Sequence, residues 1–449
     1  MLSRNRKIIR AFGACALGAC TAAAATLPAA PGAAAALPGT GQGRAPAMAR
    51  GAVAHARVVS ADPVDYTPHV LDGIVNAFAL VGRKVVVGGS FTRVQNAGES
   101  REMRRTNLFA FDLYTGKVDE SFAPVLDGTV YALAPGAGDT VYVGGAFDTV
   151  NHWPAHALTR LSLEDGRAVH GFTPWVRGGE VNALVAHGGH LYVGGDFRRI
   201  GEAERPALAR LDARTGALDP TFTVTPGDPP RRARLRVYAM ALSRDRLAVD
   251  GAFTTLDGLS RPQLGLIDIG RNPARVAPWR TAAYAPDCWS AFPWYVRGLD
   301  FSPDGKYFVV VTTGGPKHRG GTGPTCDSAA RFETYSRGNN IHPTWINHTG
   351  GDSLYSVAVT GAAVYVGGHQ RWLNNPHGSD TPGPGAVSRK GIGAIHPVTG
   401  RALAWNPTRT RGVGVKAFLA HKGGLLVGSD TTELGREYHA RVGMFPLRN

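Results

Sequence analysis

The feature that most constrains this chain is a seven-residue stretch that keeps returning. "LYVGGDF" at 191–197 is matched by "VYVGGAF" at 141–147, "VVVGGSF" at 85–91, "LAVDGAF" at 247–253 and "VYVGGHQ" at 364–370. Two glycines inside a β-branched and aromatic run weaken an isolated strand, because glycine loses most backbone entropy on folding and offers no side chain to pack. Their return at a regular spacing marks instead a repeat architecture.

Alignment on the glycine pair exposes a longer unit, clearest at 181–222. "VNALVA" and "HLYVGGDF" read as strands joined by a tight Gly-Gly hairpin, "ALARLD" as a third strand, and "ALDPTFTV" as a fourth after the turn "ARTG". In that turn Asp212 caps through its side chain and Thr215-Gly216 supplies the left-handed position. First strands begin at Val75, Val130, Val181, Val237, Val296, Leu354 and Val415. This spacing predicts an all-β fold, a single seven-bladed β-propeller of four-stranded antiparallel blades over 55–449, with blades starting near 73, 128, 179, 234, 295, 353 and 413. The 59 Gly and 30 Pro agree with many short strands and turns, and no extended helical periodicity occurs beyond the N-terminus.

The seventh unit ends one strand short, at "ARVGMFPLRN". Fourth strands end in an aromatic-x-Pro signature, as in Phe122-Ala123-Pro124 and Phe172-Thr173-Pro174, and the same signature precedes the first unit as Tyr66-Thr67-Pro68. Residues 57–72 are therefore expected to complete the last blade, closing the ring and removing free sheet edges.

The first ten residues are basic, "AFGACALGACTAAAA" is apolar, and small residues follow, so 1–36 read as a signal peptide and 37–54 as a flexible linker. The expected location is secreted and extracellular. The alternative is lipid anchoring at the cell surface through Cys20, since Leu17-Gly18-Ala19-Cys20 resembles a lipobox. No later run is long enough for a transmembrane segment. Subtracting the four leader cations Arg4, Arg6, Lys7 and Arg10 from +15 leaves a mature charge of +11. Two cysteines then remain, Cys288 and Cys326, and the export reading pairs them as one disulfide.

The "YVGGxF … LARLD … TG … F" unit resembles the delta-60-type repeat of secreted bacterial β-propeller proteins of unknown function. More distantly it is similar to kelch, WD40 and YVTN propellers; "VRGLDFSPDGKYFVVV" in the fifth unit is closer to the last two. The resemblance implies the fold and leaves the activity open, because propellers host unrelated functions.

A repeat supplies its own control: a residue recurring at one blade position serves the blade. Arg105, Arg205, Arg261, Arg389 and His439 recur just before strand three, so they are read as ties for their own loops. The non-recurring chemistry lies in the strand two to three loops at 92–107, 148–157, 316–329 and 369–390 and in the insert 281–295. Trp289, Trp294, His318, Arg319, His369, Arg371, Trp372 and His377 combine aromatic platforms with cationic and hydrogen-bonding groups, the mixture that binds sugars and anionic polymers. The bland reading makes the tryptophans space-fillers under long loops and the histidines solvated.

No GxSxG elbow, HExxH pair, P-loop, CxxC or sialidase-type box occurs, no metal site is read, and no cofactor can be named. The Ser, His and Asp of "NHTGGDSLYS" are close in sequence only. Export and the lack of a Lys/Arg run in the mature chain argue against a nucleic-acid partner. The expectation is an exported monomeric binding or scaffold protein that recognises a glycan, an anionic cell-wall polymer or a surface protein. The alternatives are a glycan-active or oxidative enzyme on the same face and a structural module without a small-molecule site.

Overall fold

β-Branched runs broken every few residues by Gly-containing turns have one favourable outcome, short antiparallel meanders. The computed structural model describes residues 53–315 and 323–447, and their regular elements are all strands. The signal-peptide reading, Cys20 and all but the end of the linker lie outside the described residues. No helix in the described residues is long and apolar enough to cross a membrane.

Seven sheets carry the repeat. Sheet 1 contains Ile74–Val81, Lys84–Ser90 and Leu108–Asp112; sheet 2 contains Val130–Pro135, Thr140–Gly145 and Leu158–Ser162. Sheet 3 contains Val181–His187, His190–Gly195 and Leu208–Asp212; sheet 4 contains Arg236–Ser243, Arg246–Ala252, Leu264–Asp268 and Arg275–Val276. Sheet 5 contains Val296–Phe301, Tyr307–Thr312, Ser328–Glu333 and Trp345–His348. Sheet 6 contains Leu354–Val359, Val364–Gly368 and Ile392–Ile395, and sheet 7 Ala417–His421, Gly424–Gly428 and Val442–Pro446.

Fourth strands are paired in sheets 4 and 5 and shrink to single bridges in sheets 1, 2, 3 and 6, such as Leu211 with Leu218. The reason is local. In sheets 1 and 3 the chain turns just past the bridge, where Asp119 and Asp219 accept from the Ser121 and Thr221 amides at 3.0 and 2.9 Å. The preceding turn forms as the sequence implies, with Asp212 accepting from the Thr215 amide and hydroxyl, both at 2.7 Å, and Gly216 at φ +76°.

The glycine pair has two distinct jobs. A Cβ on Gly88, Gly144 or Gly194 would stand 2.5, 2.5 or 2.6 Å from a methyl of Val130, Val181 or Val237, the first valine of the following sheet. A Cβ on Gly89, Gly145 or Gly195 would stand 2.0, 2.1 or 2.0 Å from the carbonyl oxygen of Ile74, Thr129 or Glu180 in its own sheet. That backbone approach accompanies a bulge in the first strand, where the register slips between Val75 and Ala77 and at the matching place in sheets 2 to 6.

First strands of successive sheets touch along the chain, and the first strand of sheet 7 touches that of sheet 1. There Gly428 meets Val75 in the same socket geometry, at 2.6 Å, and the Val75 amide donates to the Ser429 carbonyl. Residues 57–72 run beside the third strand of sheet 7. The Ser60 and Val64 amides donate to the carbonyls of Pro446 and Met444, and Val59 packs with Val427 and Phe445. These are separate bonds, and only His69–Val70 counts as a strand, paired with Arg93–Gln95.

In sheet 4 the socket glycine is replaced by Asp250, fully buried, with one oxygen accepting from the Ala239 amide at 3.0 Å and the other unpartnered. Burial pushes its pKa up to about 8, and Asp300 and Asp327 up to about 7, for the same cause. A carboxyl whose folded pKa is raised destabilises the fold as pH climbs from its unfolded value near 4 through the folded value. Asp250→Asn should therefore remove about 1.4 kcal/mol of pH-linked destabilisation per unit across that window. Urea midpoints at pH 5 and 8.5 check this: the variant should lose less stability at pH 8.5 than the parent, and an equal loss would remove Asp250 from the linkage.

Candidate functional site

The recurrent basic residues behave as ties. Arg105, Arg261 and Arg389 each donate to the carbonyl just before them and to a second carbonyl in the fourth-strand segment, at Asp119, Ala277 and Leu403. Arg205 keeps the first of these bonds, to Glu204 at 2.9 Å. His439 lies 3.3 Å from the Thr67 hydroxyl, and so ties the N-terminal segment to sheet 7.

Cys288 and Cys326 form a disulfide with Cα atoms 5.9 Å apart, joining the 281–295 insert to the loop before strand three of sheet 5. Trp289 is half-buried beside this staple, its amide donating to Gly314 and its ring edge-on to Phe292 at 5.5 Å. Trp294 is 8% exposed, stacked on Tyr238 at 5.9 Å, so its ring faces inward and is not an open sugar platform. His318 and Arg319 lie outside the described residues. His377 is exposed and lines a cavity of about 440 Å³ with His348 and Asp327.

The other three candidates come together at sheets 6 and 7. Arg371 makes a bidentate pair with Asp352 at 2.8 and 3.0 Å, reaches Asp380 at 2.7 Å, and lies over the Trp372 ring at 4.5 Å. Asp352, 1% exposed, also receives Arg411 at 3.0 Å. His369 stands beside them, 3.2 Å from the Tyr355 hydroxyl, and burial pushes its pKa down to about 4, so it is neutral at pH 7. The Asp352 of "NHTGGDSLYS" is thus an arginine anchor.

Over this base runs a cleft of about 790 Å³ lined by Gln370, Arg371, Lys390, Arg409, Arg411 and Arg436 with Glu433 opposite. Its acids are committed: Asp430 holds Arg409 at 2.8 Å and two backbone amides, and Glu433 accepts from Thr410. Lys390 and Arg436 are exposed, with no ion pair among the described residues, and Arg411 keeps half its side chain in solvent. The outcome is a cleft whose outward donors are cationic, with Glu433 as its one lining carboxylate and with Asp352 and Asp430 beside it spent on positioning arginines.

A second cleft, about 660 Å³, is lined by residues of units 2, 3 and 4 and was not singled out by the sequence. It presents Trp175, 55% exposed with Arg177 at 4.9 Å over its ring, beside His156, Asp196 and Arg236. Trp175 follows an aromatic-x-Pro signature, and that placement was the available signal. Among the described residues no group of three or more His, Cys, Asp or Glu is set to hold a metal ion.

A family match within the third unit agrees with a propeller. Residues 189–222 match the model of a family described as "Domain of unknown function (DUF5122) beta-propeller". The chain is similar to the WD40 β-propeller domain of Doa1, at 12% identity and TM-score 0.47, over 87% of this chain and 97% of that one. It is also similar to the computationally designed Ika8 protein, at 11% identity and TM-score 0.46, over 87% of this chain and all of that one. No curated protein matches. A propeller domain fits a binding or scaffold role in general terms.

Proposed function

We propose that this chain is an exported, monomeric, seven-bladed propeller that binds an anionic envelope polymer along the cleft between sheets 6 and 7. The observation that carries this reading is the cleft's asymmetry: Lys390, Arg411 and Arg436 are set against one lining carboxylate, Glu433, while Asp352 and Asp430 next to it are tied to arginines and amides. The mature charge of +11 favours the same class of partner and speeds encounter. In this reading residues 1–36 direct export, with lipid anchoring at Cys20 as the alternative, and residues 57–72 supply the last blade's outer edge. The socket contact between Gly428 and Val75 and the two backbone bonds from Ser60 and Val64 support such closure.

Binding is favoured over hydrolysis because Asp352 has both oxygens engaged by arginines and so is not free for proton transfer. The test is interferometry of the secreted form against immobilised polygalacturonate, poly(glycerol phosphate) and neutral dextran across a salt series. Charged polymers should bind, dextran should not, and Lys390→Ser/Arg411→Ser/Arg436→Ser should weaken binding about tenfold or more and flatten its salt dependence. Equal binding by the triple variant would overturn the reading. Dextran binding abolished by Trp175→Ala would move the site to the second cleft and make the ligand a neutral glycan.

A further inference from the structure

Opposite each glycine pair the first strand carries one extra residue at its bulge, and these extra residues occupy the same level of neighbouring sheets. Sheets 3 to 6 place Asn182, Tyr238, Arg297 and Tyr355 there, and sheet 7 places Lys416, whose amide bonds to Gly428. None comes from the loops that the sequence pointed to.

All are buried, Arg297 to 1% exposure and Lys416 to 2%. Yet the Lys416 ammonium, the Tyr238 hydroxyl and both amide atoms of Asn182 have no hydrogen-bond partner in the protein. Arg297 donates to the Val296 carbonyl at 3.2 Å and otherwise lies against the stacked rings of Tyr238, at 5.2 Å, and Trp294, at 5.9 Å. Lys416 Nζ sits 3.2 Å from the centre of the Tyr355 ring. Ring faces offset about 2 kcal/mol of the cost of a desolvated cation, and several kcal/mol per buried ion remain to be met.

The surrounding acids do not meet it. Burial pushes Asp250 and Asp327, the two carboxyls that Arg297 feels, up to about 8 and about 7, which weakens both as counter-charges at pH 7. Asp430, which Lys416 feels, is already bound to Arg409 and to the amides of Val413 and Gly414. Arg297 with one carbonyl, and Lys416, a hydroxyl and an amide with no acceptor, match the surface of an oxyanion; burial pushes the Lys416 pKa down to about 7, and a bound oxyanion would hold it charged.

We propose that Arg297 and Lys416, flanked by Tyr238 and Asn182, form a binding site for a small oxyanion, a carboxylate or phosphate, distinct from the polymer cleft. The depth of the site excludes a polymer chain and selects a free, compact ligand. Trp294 and His369 then border the site: Trp294 stacks on Tyr238, and His369 contacts Tyr355 at 3.2 Å.

The test is melting and calorimetry of the secreted form in sodium phosphate, sulfate and citrate against chloride at equal ionic strength. At least one oxyanion should raise the melting temperature in a saturable way, as a ligand of the native state alone must. Lys416→Met keeps the volume and removes an unpaired charge, so it should fold at least as well in chloride and bind about tenfold more weakly or worse. No oxyanion effect beyond chloride would overturn the proposal, as would an undiminished effect in Lys416→Met. The triple cleft variant must keep the response; loss there with retention in Lys416→Met would place the anion in the cleft and also overturn it.

Discussion

Deletion of residues 53–72 is expected to lower the melting temperature of the secreted form by about 10 °C or more, or to leave it unfolded. The segment buries Val59 and Val70, worth about 2 kcal/mol each, and its Ser60, Val64 and Val70 amides make backbone bonds to residues 440–446, worth about 1 kcal/mol each. A loss of that size is a large share of the stability of any natural domain, about 5–15 kcal/mol. The deletion also strips the third strand of sheet 7 of its neighbour, so aggregation should accompany unfolding. Calorimetry of the deletion beside the intact mature chain measures both, and an unchanged melting temperature would show that sheet 7 holds its edge without residues 53–72.

The second large effect is expected from a single methyl group. In Gly195→Ala the new Cβ would stand 2.0 Å from the Glu180 carbonyl oxygen and 3.0 Å from the Phe197 ring. Both obstacles are fixed, one by backbone and one by a ring 1% exposed, so the bulge must open and sheet 3 must shift. About 3 kcal/mol of destabilisation should follow. Gly188→Asn is the matched control, with φ +58° and nothing within 4 Å of its Cβ, and should stay within about 0.5 kcal/mol of the parent. Similar urea midpoints for the two variants would mean that the glycine pair is there for flexibility rather than for close approach.

What could be read in the sequence was whatever a single unit contains. The Asp212 turn is local chemistry, and it forms as read. The arginines before strand three were assigned by recurrence, and their bonds to nearby carbonyls follow from it. The Cys288–Cys326 bond followed from counting cysteines. Fourth strands were expected and mostly shrank to bridges; in sheets 1 and 3 the chain turns just past the bridge, where Asp119 and Asp219 accept from the amides two residues on.

The candidate site was legible only in part, since its partners meet across units. Arg371 could be named, but Asp352 and Arg411 stand 59 residues apart and meet only once sheets 6 and 7 adjoin. Trp294 was expected to offer a platform and is instead covered, because the bulge of the neighbouring sheet places Tyr238 against it. The buried cations escaped notice for a related reason. Each occupies a blade position where other sheets carry asparagine or tyrosine, and only their shared level in the fold brings them together.

The knob of each sheet-to-sheet joint is the first valine of one unit, and its socket is a glycine in the unit before. A unit carrying one knob and one socket is interchangeable with its neighbours, so duplication or loss of a whole unit leaves every remaining joint the same shape. Two joints break that rule, because Asp250 and Val311 occupy the sockets of sheets 4 and 5. Units 4, 5 and 6 are therefore keyed to one another as an ordered cassette, while the rest of the chain remains open to shuffling.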